Sequence, residues 1–118
     1  MPGRDVIAQL GSGPVILPSL LLCDFANLQR EVEQLQEAGI RGLHLDVMDG
    51  QFVPNLTYGM PIVDALRKAT EMPLDVHLMI DQPERYLQAF ANAGADLLTV
   101  HIEACEDIVS TLSEIRSL

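Results

Sequence analysis

Strand-like and helix-like segments alternate four times along this chain, and this order constrains the fold more than any other feature. Leu28, Val32 and Leu35 show the helical spacing i, i+4, i+7 before Gly39 ends the segment. The predicted strands are residues 15–17, 42–48, 74–80 and 97–103, and the predicted helices follow Asp24 and cover residues 61–69, 83–93 and 106–117. Because no hairpin turn signals separate the strands, we expect right-handed crossovers and a parallel α/β sheet.

Four strand–helix units leave two architectures open. They fit half of a (β/α)8 barrel, which typically takes about 250 residues, or a small open doubly wound sheet. Residues 1–14 show no periodicity and contain Gly11-Ser12-Gly13, so we expect a flexible leader there. The remaining residues, 15–118, are expected to form one domain.

The charge of the chain excludes several classes of partner. Seven Lys and Arg residues stand against seventeen Asp and Glu, giving a formal net charge of -10. Such a surface repels nucleic acid and anionic lipid, and no run reaches the roughly 18 apolar residues of a membrane span. Cys23 and Cys105 are too few for a disulfide framework and are expected to be inert thiols. A cytoplasmic protein that binds neither nucleic acid nor membrane is expected.

Ionisable side chains recur on one face of three successive predicted strands. Side chains alternate along a strand, so the polar-face residues are His44, Asp46 and Met48, then Asp75, His77 and Met79, then Thr99, His101 and Glu103. In a parallel sheet buried on both faces, ionisable groups repeated on one face are costly unless they face a site. They also lie in the carboxyl halves of their strands, where α/β folds place catalytic groups.

Three of these residues predict a metal site. A single histidine would be read as a core or rim residue, but His44, Asp46 and His77 offer two imidazoles and a carboxylate from adjacent strand ends, which suit a divalent transition metal. For His101, Glu103 and Asp75, we weight a supporting or structural role equally with a direct role in function. Met48 and Met79 are predicted to line the mouth of the pocket. Asp24 and the acidic residues 103–107 are interpreted as helix-terminus residues.

Several motifs resemble the ribulose-phosphate 3-epimerase family, in that family's order and spacing from about Val15 to Glu103. They are Pro18-Ser19, Leu43-His44-Leu45-Asp46-Val47-Met48-Asp49-Gly50, Phe52-Val53-Pro54-Asn55 and Leu74-Asp75-Val76-His77-Leu78-Met79. The resemblance implies an α/β fold made of the first four βα units of a TIM (β/α)8 barrel of the ribulose-phosphate-binding type. It favours the half-barrel over the open sheet.

The resemblance also implies a chemistry and roles for residues. The family epimerises a pentulose 5-phosphate at C3, D-ribulose 5-phosphate to D-xylulose 5-phosphate, through an enediolate. Ser19 and His77 would contact the substrate, and Asp46 would act as one acid/base. His44, Asp46 and His77 would bind one divalent ion, for which zinc and ferrous iron are preferred over manganese and cobalt. Gln51 stands where the family usually has histidine, which affects the loop over the site. The second acid/base and the phosphate-binding turns lie on later strands of the family.

We therefore expect a truncated chain that is inactive alone and self-associates through open barrel edges. One alternative is a non-catalytic half-barrel that serves as a metal-binding or assembly module. Another is a different sugar-phosphate barrel enzyme, such as a hexulose-phosphate epimerase or synthase. The motif Phe52-Val53-Pro54-Asn55 favours the pentulose epimerase.

Overall fold

The computed structural model describes residues 5–118 as helices around a three-stranded parallel sheet of order β1-β2-β3. The strands are β1 (Leu43–Met48), β2 (Leu74–Met79) and β3 (Leu97–Thr99), and the helices are α1 (Val6–Leu10), α2 (Leu28–Glu37), α3 (Met60–Ala69), α4 (Leu87–Ala93) and α5 (Ile108–Ser117). In register, Leu43 pairs with Leu74, and Asp75 pairs with Leu97. This parallel α/β arrangement is consistent with part of a TIM barrel.

One face of the sheet forms the core, as the alternation along the strands predicts. In β1 and β2 every second residue is buried and its neighbours are only partly so. The helices cover the buried face with fully or almost fully buried side chains. These are Val32 of α2, Val63 and Leu66 of α3, and Leu87 and Phe90 of α4. The polar face is therefore the one left open for chemistry.

The predicted first strand, residues 15–17, is wrong. Within residues 5–118, the pairing with β1 comes just after this segment, as an isolated parallel bridge between Ser19 and His44. The Leu20 N–H donates to the His44 carbonyl at 3.1 Å, and the His44 N–H donates to the Pro18 carbonyl at 3.0 Å. Pro14 and Pro18, on either side of the segment, have no N–H to donate, which limits the length of any ladder here.

Two side chains replace that strand along the rest of the β1 edge. The Asp46 N–H donates to the Tyr58 hydroxyl at 3.0 Å, and the Met48 N–H donates to Thr57 Oγ1 at 2.9 Å. The Thr57 hydroxyl donates in turn to the Asp46 carbonyl at 2.8 Å. The backbone groups that hold Asp46 are therefore paired without a neighbouring strand.

Removal of the Tyr58 hydroxyl will destabilise the chain. In Tyr58→Phe the partly buried Asp46 N–H loses its acceptor, which costs about 1–3 kcal/mol of unfolding free energy. Urea denaturation measures the loss. Tyr86→Phe is the matched control, because Tyr86 is an exposed tyrosine whose ring stays in place below Arg85. Equal stability of the two variants would contradict this role of Tyr58.

The predicted fourth strand is correct at its start and wrong at its end. β3 stops at Thr99, and Ile102–Ala104 forms a 3-10 turn in which the Ala104 N–H donates to the His101 carbonyl at 3.0 Å. The Ala104 carbonyl accepts the Gln82 N–H at 3.1 Å, which ties this turn to the loop after β2. Glu103 consequently leaves the polar face, with its side chain 68% exposed.

The predicted helices are present, with differences at two of them. Residues 83–93 divide into a 3-10 turn, Pro83–Arg85, and helix α4, because Tyr86 has non-helical dihedrals. Helix α5 begins at Ile108, one residue after Asp107, whose side chain accepts the Val109 and Ser110 N–H groups. Asp24 likewise accepts the Ala26 N–H at 3.1 Å, which confirms its prediction as a cap.

Part of the predicted leader has regular structure. Val6–Leu10 is helical, with the Asp5 side chain accepting the Ala8 N–H, and Gly11 ends the helix at a φ of 80°. Residues 1–4 lie outside the described part of the chain. Flexibility of the leader stays a prediction. Across residues 5–118, no helix combines the length and the apolar character that crossing a membrane requires.

Candidate metal centre

The register of β1 and β2 brings together His44, Asp46 and His77. Asp46 and His77 are direct partners in the parallel pair, and His44 lies two residues earlier on the same face as Asp46. Asp46 Oδ1 lies 3.1 Å from His44 Nε2 and 2.9 Å from His77 Nδ1. One ligand atom from each residue falls within 4.8 Å of the other two, so the three could hold one metal ion. Their predicted convergence is confirmed, and their role as ligands stays a prediction.

The second oxygen of Asp46 is held by Ser19. The Ser19 hydroxyl donates to Asp46 Oδ2 at 2.5 Å and accepts the Leu21 N–H at 3.2 Å. Partial burial alone would raise the pKa of Asp46, but the hydrogen bonds from Ser19 and His77 and the charge interaction with His44 outweigh it. The net effect lowers the pKa of Asp46, so the carboxylate is ionised at neutral pH.

Each histidine of this set also has a partner for its other ring nitrogen. His44 Nδ1 lies 2.8 Å from Asp75 Oδ2, and His77 Nε2 lies 2.7 Å from His101 Nε2. Glu103, which the sequence placed on the same face, lies farther away, with Oε2 4.0 Å from His101 Nδ1. Asp75 and His101 therefore contact the candidate ligands, and Glu103 does not.

The loops after β1 and β2 are joined by Asp49, a residue that the strand pattern did not single out. Asp49 Oδ1 accepts the Gln51 and Phe52 N–H groups, both at 2.9 Å, and Oδ2 accepts the Asp81 N–H at 2.8 Å. Burial would raise the pKa of Asp49, but these three backbone donors lower it. A carboxylate just after a strand and before a glycine was the sequence signal for such a loop anchor.

The two methionines are neighbours, and Met48 lines a cavity at the carboxyl ends of β1 and β2. Met48 and Met79 are register partners at the ends of β1 and β2. Met48 lines a cavity of about 360 Å³ beneath the loops after those strands, and Met79 is not among its lining residues. His44, Asp46 and His77, which lie nearer the middle of β1 and β2, do not line it either. The predicted role of both methionines at the pocket mouth stays a prediction.

The cysteines lie outside this set. Burial raises the pKa of both the Cys23 and the Cys105 thiols, which disfavours the reactive thiolate. Both are free and partly buried. Their interpretation as inert thiols agrees with these surroundings.

The sheet and its polar face define the class of protein. Parallel strands covered by helices, with ligand-type side chains towards the carboxyl ends of adjacent strands, are typical of α/β-barrel proteins with a metal-binding site. The model of the Ribulose-phosphate 3 epimerase family matches residues 15–118, and the chain belongs to that family.

Curated relatives agree with this assignment. The chain is 52% identical over 101 residues to a ribulose-phosphate 3-epimerase of Bacillus subtilis, covering 86% of this chain and 46% of the relative. It is 51% identical over 106 residues to a ribulose-phosphate 3-epimerase of Synechocystis, covering 88% and 46%. A chloroplastic ribulose-5-phosphate-3-epimerase of Arabidopsis thaliana is 47% identical over 106 residues, covering 88% and 38%. The chain thus spans less than half the length of these relatives.

Proposed function

We propose that this chain supplies the metal-binding half of a ribulose-phosphate 3-epimerase, which converts D-ribulose 5-phosphate to D-xylulose 5-phosphate by inverting C3. The observation that carries the proposal is the convergence of His44, Asp46 and His77 within 4.8 Å at adjacent strands. Family membership over residues 15–118 supports the reaction. The two free cysteines agree with a reducing cytoplasm as the place where it occurs.

The donor set fits a divalent ion. Two imidazole nitrogens and one carboxylate oxygen suit zinc or ferrous iron, with manganese and cobalt as further candidates, and leave positions open for oxygens of a substrate. When bound there, such an ion would polarise the ketone and hydroxyl oxygens of the sugar and stabilise the enediolate charge that develops as the C3 proton leaves.

Asp46 is the proposed acid/base on one face of the sugar. Its Oδ1 faces the two histidines, and its Oδ2 faces Ser19, so one oxygen can serve the ion while the other moves a proton. The carboxylate is ionised at neutral pH, as a group that accepts the C3 proton must be. Ser19 and His77 would also contact the substrate, and Met48 and Met79 would form an apolar wall beside it.

Inversion of C3 requires a second acid/base on the opposite face. We assign this group, and the turns that bind the phosphate, to the later strands of the family's barrel. On its own the chain is therefore expected to lack epimerase activity. Self-association is expected because the outer edge of β3 has no partner strand among residues 5–118.

A chimaera tests the function. Residues 15–118 would replace the matching half of the Bacillus subtilis relative, and a coupled assay would follow D-xylulose 5-phosphate formation. We expect turnover within about tenfold of the parent, because the donor set and its surroundings come intact with the chain. A folded, metal-loaded chimaera without turnover would contradict the proposal.

The chain alone provides the complementary measurement. Size-exclusion chromatography should show an assembly larger than 13.0 kDa, and the same assay should show no turnover. A monomer that turns over substrate at the parent's rate would remove the need for a second acid/base from later strands.

A further inference from the structure

Each histidine of the candidate metal centre has one ring nitrogen turned towards Asp46 and the other towards a different residue. Nε2 of His44 and Nδ1 of His77 face Asp46 Oδ1 at 3.1 and 2.9 Å. The opposite nitrogens lie 2.8 Å from Asp75 Oδ2 and 2.7 Å from His101 Nε2. His44 therefore turns Nε2 towards the candidate metal centre and His77 turns Nδ1 towards it. The other nitrogen of each ring contacts a separate partner residue.

The tautomer of each ring follows from this arrangement. A nitrogen that binds a metal uses its lone pair, so the other nitrogen of a neutral imidazole carries the hydrogen. His44 then carries hydrogen on Nδ1 and donates to Asp75, a carboxylate that can only accept. His77 carries hydrogen on Nε2 and donates to His101 Nε2, which accepts when the hydrogen of His101 is on Nδ1.

We propose that Asp75 and His101 are positioning residues of the metal centre, each fixing the tautomer and orientation of one histidine ligand. The inference rests on the proposed function, because it requires that His44 and His77 bind the ion. A hydrogen-bond partner on the far side of a ligating histidine raises the basicity of the ring. It also holds the ring in place before the metal binds, so less conformational entropy is lost on binding.

The positions of both partners are set by the fold. Asp75 is the register partner of His44 in the β1–β2 pair, so the sheet itself places its carboxylate beside the ring. His101 follows β3 and stacks on His77, with centroids 4.9 Å apart and planes 30° apart. The Phe52 ring covers His101 at 5.2 Å, so His101 packs between a ligand and the loop after β1.

The inference is tested by measuring how tightly the chain binds metal. Zinc affinity is measured by competition with a chelator, and cobalt binding is followed by the visible absorption of the bound ion. Asp75→Ala and His101→Phe remove the acceptors, and phenylalanine keeps the ring that stacks on His77. We expect each to weaken zinc binding about 10–100-fold and to change the cobalt spectrum. Asp75→Asn and His101→Gln restore an acceptor oxygen and should recover part of the affinity, which a merely structural role would not produce.

The control and the outcomes separate this inference from the proposed function. Asp64→Ala removes a carboxylate from an exposed pair with Lys68 on α3 and should leave zinc affinity unchanged. In the zinc-bound chain, ¹⁵N spectra should show hydrogen on His44 Nδ1 and on His77 Nε2. If the unsubstituted chain binds zinc and the Asp75 and His101 variants bind it equally well, the positioning role is overturned and the metal centre stands. If the unsubstituted chain binds neither ion, the metal centre is overturned as well.

Discussion

Asp46→Asn in the chimaera will lower exchange of the C3 proton of D-ribulose 5-phosphate with solvent by about 10²–10⁴-fold. An amide cannot act as a base at neutral pH, whereas the ionised carboxylate of Asp46 can accept a proton. The amide can still accept the Ser19 hydroxyl, so the fold should be retained. Deuterium incorporation at C3, followed by NMR at saturating metal, measures the effect.

Asp64→Asn is the control for this substitution. It makes the same chemical change in an exposed pair on α3, where Asp64 Oδ2 lies 2.7 Å from Lys68 Nζ. Its exchange rate should equal that of the parent chimaera. Parent-like exchange in Asp46→Asn would remove Asp46 from the proton transfer.

Arg67→Ala will lower the unfolding free energy of the chain by about 3–5 kcal/mol. Arg67 Nη1 lies 2.7 Å from Asp96 Oδ2, and the two side chains are only 12% and 0% exposed. The guanidinium also donates to the carbonyls of Thr70, Met72 and Gly94 at 2.9, 2.6 and 3.1 Å. In Arg67→Ala the buried Asp96 carboxylate loses the guanidinium cation. The three carbonyls lose the guanidinium as a hydrogen-bond donor. Urea denaturation at fixed protein concentration measures the loss.

Lys68→Ala is the matched control, one residue further along α3. Its ion pair with Asp64 is exposed, at 76% and 51%, so the expected change is about 0.5 kcal/mol or less. Arg67→Met keeps an apolar stem against Gly94 and tests whether charge or packing dominates. If Arg67→Ala and Lys68→Ala cost the same, the buried ion pair is not a main source of stability.

The part of the site on β1 and β2 could be predicted from sequence because strand alternation is strict there. A period of two places His44 and Asp46 on one face, and the parallel register then places His77 opposite Asp46. The same reasoning identified the buried residues that face the helices. Hydrophobic spacing likewise located α2, with the glycine that follows it at a φ of 90°.

Other features depend on contacts between segments that are distant in sequence. The side chain of Tyr58 takes the place of a strand beside Asp46, and no local pattern reveals that exchange. The end of β3 depends on the bond between Gln82 and Ala104, which turns the chain before Glu103. The partners of His44 and His77 were present among the candidates, but only their distances separated Asp75 and His101 from Glu103.

The link that Asp49 makes between the loops after β1 and β2 has a consequence for protein engineering. One carboxylate fixes the start of the first loop through Gln51 and Phe52 and the start of the second through Asp81. Phe52 in turn lies on His101 beyond β3. Grafting one of these loops from a homologue would break bonds that shape the other, so the two form a single module for recombination. Attempts to alter specificity should exchange them together.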